Sequence, residues 1–164
     1  MNHIYKTVKA LVSKYCTSDP FELAEELGIM ILYYDLGSLN GMFRYIEGQP
    51  VILLNCRLDK IMQRIVCAHE LGHFVLHSAI AKEACLREFH IFNMRDKTEY
   101  EANVFATNLL IDEDEMIELL KEGRSAYETA MILKTEPNLL DIKLANMNTM
   151  GYNFDTNWGS TDLF

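Results

Sequence analysis

Two histidines and a glutamate at positions 69–73, in the order His69-Glu70-Leu71-Gly72-His73, carry the most specific chemistry in this chain. On a helix, residues four apart lie one above the other, so both imidazoles project from one face. That spacing lets them share one Zn²⁺, with nitrogen–metal distances of about 2.0–2.1 Å. Glu70 sits about 100° round the same helix. It is too close in sequence to serve as a convenient third ligand, but it can reach a water on the metal and act as its general base. The chemistry this predicts is metal-assisted hydrolysis, provided that the motif lies on a helix.

The flanking residues satisfy that condition. Ile61, Met62, Ile65, Val66, Leu71, Val75 and Leu76 recur at helical spacings, no proline interrupts, and Asn55 is available as a cap. A helix over 57–78 would span about 33 Å, enough to cross a small domain. Gly72 costs such a helix about 1 kcal/mol relative to Ala; one use for it is to admit a second helix close to the ligands.

A catalytic zinc commonly takes three protein ligands and a water. The candidates for the third are His77, His90, Glu99 and Glu101. His77 continues the four-residue spacing, yet it lies about 12 Å along the helix from His69. It reads better as a residue that supports a ligand or faces substrate. The helix expected over 98–110 is the stronger source, with Thr98 as its cap and Ala102 and Ala106 small enough to pack on Gly72. Glu99 and Asn103 share a face of it, so Glu99 can ligate while Asn103 hydrogen-bonds a ligand imidazole. Glu101 points about 200° away from Glu99; it remains the alternative third ligand.

The rest of the chain must position these groups. Its 164 residues, 49% hydrophobic and 24% charged, suit one globular domain, expected over 1–147 with a helical C-terminal part from about 112 and a tail over 148–164. Helices are expected over 3–16 and from Pro20, with Asp19 as N-cap and Gly28 as terminator. Strands follow over 29–34, 42–46 and 51–54, with a hairpin loop at 47–50. Residues 79–97 read as a loop, and helices return from Asp112 or Asp114 to Leu120, over 125–133 and over 138–147. The fold class is therefore α+β, a small three-stranded sheet packed on helices.

The net charge of −9 argues against direct nucleic-acid binding, which needs a basic face, while leaving room for a protein partner that itself binds DNA. No apolar run reaches membrane-spanning length and no signal peptide is visible, so a cytoplasmic location is expected. Cys16, Cys56, Cys67 and Cys85 form no C-x-x-C pair and read as reduced thiols.

The segments H-E-L-G-H-F-V-L-H at 69–77 and E-Y-E-A-N-V-F-A-T-N-L-L at 99–110 resemble the ImmA/IrrE family of zinc metallopeptidases, gluzincin-like proteins of bacteria, phages and integrative elements. The resemblance extends over about 15–147, including the Asp19-Pro20 helix start and the strand region. It departs where Ile111-Asp112 replaces the family's usual proline after Leu-Leu. It implies a zincin-like domain in which His69, His73 and Glu99 hold Zn²⁺ and Glu70 is the catalytic acid/base. It further implies a zinc-dependent endopeptidase acting on a helix-turn-helix repressor, here a separate protein. Possible contributors to oxyanion stabilisation are His77, His90 and Tyr100. Three other readings compete: a zinc hydrolase such as a deformylase, with Cys56 or Cys67 as ligand; a non-catalytic binder of the repressor that keeps the fold; and a domain whose zinc, if any, is structural.

Overall fold

Ten elements run in the order ααβββααααα in the computed structural model, which describes residues 3–84 and 95–154. Helix α1 (His3–Tyr15) buries Ile4 and Val8. Helix α2 (Pro20–Glu26) starts as its sequence dictates: the Asp19 carboxylate accepts from the amides of Phe21 and Glu22, and Pro20 fills a position whose N–H would have no helical partner. Gly28, at φ +70°, ends it and turns the chain into the sheet.

The sheet is α+β in the sense expected, but its order is not sequential. Strand β3 (Gln49–Asn55) lies in the middle, parallel to β1 (Met30–Tyr34) and antiparallel to β2 (Gly41–Ile46). The β2–β3 hairpin is tighter than the four-residue loop expected from sequence. Glu47 and Gly48 alone form the turn, both at positive φ (51° and 83°), the requirement of a type I′ turn that matches strand twist. Gln49 and Pro50 belong to β3 instead. Pro50 faces Tyr45, a pair that makes no ladder hydrogen bond when Ile46 and Gln49 close the hairpin, and it precedes the first residue paired with β1. Its missing N–H therefore costs neither ladder a bond. The same alternation turns the backbone groups of Gly41, Phe43 and Tyr45 away from β3, toward the outer edge of β2.

Helix α3 (Lys60–Ala84) packs on β2 and β3 of the sheet, and α4 (Arg95–Leu110) packs on α3. Two expectations are corrected here. Asn55 does not cap α3: its side-chain amide donates to the carbonyls of Gly37 and Leu39, pinning the β1–β2 loop. Asp59 is the cap, accepting from the Met62 amide at 2.8 Å. The stretch read as loop over 79–97 is helical at both ends, because α3 runs on to Ala84 and α4 begins at Arg95, which places Thr98 inside the helix rather than at its cap. The mixed charges and aromatics of that stretch obscure any single period.

Helices α5 (Glu113–Lys121), α6 (Ala126–Ile132) and α7 (Pro137–Thr149) complete the described chain. Asp112 caps α5, and Ser125 with Glu128 forms a reciprocal capping box on α6. The core joins Leu23, Ile52, Leu54, Leu71, Val104, Phe105, Leu140, Leu144 and Met147, so α4 is walled by α1, α3 and α7. No helix among the described residues is long and apolar enough to cross a membrane.

Candidate active site

Helix α3 buries Ile65, Val66, Cys67, Ala68 and Leu71 against its neighbours, and this leaves His69, Glu70, His73 and His77 lining a cleft of about 970 Å³. The helix partner that completes the cluster comes in close because position 72 has no side chain. A Cβ there would stand 3.0 Å from both the Cα and the carbonyl oxygen of Ala102 and 3.1 Å from Phe105 Cβ, inside the ordinary 3.5–4.0 Å contact range for carbon atoms.

That approach brings Glu99 to the imidazole pair. His69 Nε2 lies 3.1 Å from His73 Nε2, and the two Glu99 carboxylate oxygens lie 3.2 Å from His69 Nε2 and 3.4 Å from His73 Nε2. Among the described residues, these are the ones whose donor atoms all fall within 4.8 Å of one another. Ligands on a tetrahedral Zn²⁺ at about 2.0–2.1 Å are separated from each other by about 3.3 Å, so donor set and spacing fit that ion. The hydrogen bonding agrees. His69 Nδ1–H donates to Asn103 Oδ1 at 2.8 Å, an oxygen that can only accept, which fixes the tautomer and leaves Nε2 a bare lone pair. Burial, and then the neighbouring His69 imidazole, lower the pKa of His73 to about 4, so at neutral pH its imidazole is unprotonated.

Glu70 is buried beside this cluster. Burial raises its pKa to about 7, with a smaller push from the charge of Glu99, against a hydrogen bond from the backbone of Phe43. A carboxyl group that gains and loses its proton near neutrality suits general acid–base transfer. The Phe43 amide reaches it from the outer edge of β2.

The remaining candidates separate. Glu101 does not join the imidazole pair; its Oε2 lies 2.9 Å from His77 Nε2, and Lys97 Nζ lies 3.8 Å from its other oxygen. Tyr100 is exposed and is not among the residues lining the cleft. His90 lies outside the described residues. Cys56 is exposed, and buried Cys67 has its thiol pushed well above its ordinary value by burial and then by Asp19 and Glu70; neither belongs to the donor cluster among the described residues. Two contributions carried no sequence signal. One is the Phe43 backbone on Glu70. The other is a wall of the cleft formed by Glu136, Asn138, Leu139 and Ile142, more than sixty positions from His69 and His73.

Over 109 residues, 66% of this chain and 68% of the relative, the sequence is 37% identical to "Uncharacterized immunity region protein 2" of Bacillus phage phi105. Over 148 residues, 87% of this chain and 84% of the relative, it is 27% identical to "Metallopeptidase ImmA" of Bacillus subtilis (strain 168). A family model described as "IrrE N-terminal-like domain", peptidase M78, matches residues 24–145 and spans both helices of the cluster. The family implies a divalent metal, and the α+β architecture is that of its zincin-like domain. The chain belongs to the ImmA/IrrE family of metallopeptidases.

Proposed function

We propose that this protein is a cytoplasmic zinc-dependent endopeptidase that hydrolyses a peptide bond in a separate protein, a helix-turn-helix repressor of a phage or mobile element. The observation that carries the reading is the convergence of His69, His73 and Glu99 at tetrahedral spacing beside buried Glu70. His69, His73 and Glu99 hold the ion, and Asn103 keeps His69 in the ligating tautomer. When bound, Zn²⁺ supplies Lewis acidity, polarising a carbonyl and bringing the pKa of a water from 15.7 toward about 7. Glu70 takes the proton of the attacking water on its carboxylate and returns it to the nitrogen of the leaving amine.

Of the strands that could pair with an extended substrate, β3 is filled on both sides, whereas β2 has, among the described residues, only β3 as a strand neighbour and lines the cleft. Its outer edge is the one that supports β-augmentation. The repressor assignment rests on the family resemblance and on the names of the relatives, one called a metallopeptidase and one an immunity region protein. The net charge of −9 is complementary to a DNA-binding partner.

The test is incubation with the repressor encoded beside this gene, with fragments read by mass. Zinc-loaded wild type should cut at one site. Glu70→Gln should retain one zinc and leave the repressor whole. Undiminished cleavage by the variant removes Glu70 from the mechanism, and an intact repressor in a stable complex with zinc-loaded wild type replaces the enzyme with a binder.

A further inference from the structure

Glu99 has a positioning problem. Its side chain is 52% exposed, and a half-exposed glutamate has several rotamers open to it in water. Its approach to the imidazoles therefore depends on where α4 holds its backbone. Among the described residues, two side-chain ties fasten α4 to α3 just beyond Glu99. The first is Asn103 to His69, already part of the site. The second is Glu101 to His77, at 2.9 Å, and the proposed mechanism does not use it.

We propose that His77 and Glu101 form a positioning pair that anchors α4 on α3 and so keeps Glu99 directed at His69 and His73; this rests on the reading of those three residues as metal ligands. His77 is nine-tenths buried, so little water competes for its bond to Glu101. The carboxylate only accepts, hence Nε2 carries the proton that is donated. The other nitrogen, Nδ1, is buried without a hydrogen-bond partner among the described residues. A leucine or methionine would fill the same volume and leave no unpaired polar atom, so packing alone does not account for a histidine here. Lys97, one turn before Glu101 on α4, approaches the second carboxylate oxygen and steadies it from the solvent side. Neither residue touches the reacting atoms in this scheme; both act through Glu99.

The test uses the full-length chain and reads Zn²⁺ affinity by chelator competition, the visible spectrum of the Co²⁺-substituted protein, and thermal unfolding without metal. Glu101→Ala and His77→Leu should each weaken Zn²⁺ binding by about 10–100-fold, the range typical for losing a group that orients a ligand. The Co²⁺ spectrum should shift, because the carboxylate is lost or displaced. Glu101→Gln, which still offers an oxygen to the His77 N–H, should return affinity to within about threefold of wild type. Wild-type affinity and an unchanged Co²⁺ spectrum in Glu101→Ala overturn the proposal, even if metal-free stability falls, since that pattern is a structural contact and nothing more. Glu101 is partly exposed, so its variants stand as the test should His77→Leu fail to fold. A wild-type chain that binds no Zn²⁺ overturns the ligand reading itself. Wild type that binds Zn²⁺ with variants that bind equally overturns the positioning pair alone.

Discussion

Replacing Gly72 with Ala adds one methyl group at the closest approach of α3 and α4, and its consequences can be worked from the contacts. The new Cβ would sit 3.0 Å from two backbone atoms of Ala102 and 3.1 Å from Phe105 Cβ. Such contacts are tighter than nearly all that real Cβ atoms make, and backbone atoms in a helix cannot rotate aside, so the helices must part by a few tenths of an ångström. Overpacking of this kind costs about 1–3 kcal/mol. Ala gains up to about 1 kcal/mol over Gly in helix propensity, so metal-free stability should fall by about 1 kcal/mol in urea unfolding. The effect on the site should be larger. Glu99 rides on α4 one turn from Ala102, and metal–ligand distances tolerate only about 0.2 Å. Zn²⁺ affinity should therefore drop at least about tenfold by chelator competition. A variant more stable than wild type by about 1 kcal/mol, with unchanged Zn²⁺ affinity, would refute the reasoning, since propensity alone would then be at play.

Other outcomes follow from the same contacts. Asn103→Leu removes the acceptor that fixes the His69 tautomer and should weaken Zn²⁺ binding by about 10–100-fold, measured as above. In the metal-free protein, the raised pKa of Glu70 (about 7 against 4.5) means that the folded state binds the extra proton between those values. Its stabilising effect is thus present near pH 4.5 and lost as pH rises through 7. His73, lowered from 6.5 to about 4, acts oppositely, its contribution being lost as pH falls from 6.5 toward 4. The two contributions should accordingly offset each other across pH 4.5–7.5. Glu70→Gln should match wild type near pH 4.5 and exceed it by about 3 kcal/mol at pH 7.5, at about 1.36 kcal/mol per pKa unit; equal chemical-denaturation curves at pH 7.5 would contradict this. Lys143, 1% exposed, donates from Nζ to Asn108 Oδ1 at 2.8 Å and lies 3.4 Å from Glu113; Lys143→Met should cost about 2–3 kcal/mol in urea unfolding by leaving Asn108 Oδ1 without its donor and Glu113, which keeps its bond from the Tyr152 hydroxyl, without its cation. Asp59→Ala should cost about 1 kcal/mol through the lost α3 cap.

What the sequence determined alone is whatever helical and strand geometry fixes over a few residues. The i, i+4 spacing puts His69 and His73 on one face, and also Glu99 and Asn103, whatever surrounds them. Asp19-Pro20 starts α2 by satisfying orphan amides locally, and β-rich runs between turn residues mark three strands. Local signals failed where competing ones were present: Asn55 and Asp59 are both able to cap, and tertiary contacts to Gly37 and Leu39 claimed Asn55. Only the tertiary structure decided that β3 lies in the middle of the sheet, that the outer edge of β2 brings the Phe43 amide to Glu70, that Glu101 turns to His77, and that α7 walls the cleft. Those relations join residues tens of positions apart. Their distances are set by how side chains of different elements fill shared space, and no short stretch of sequence encodes that.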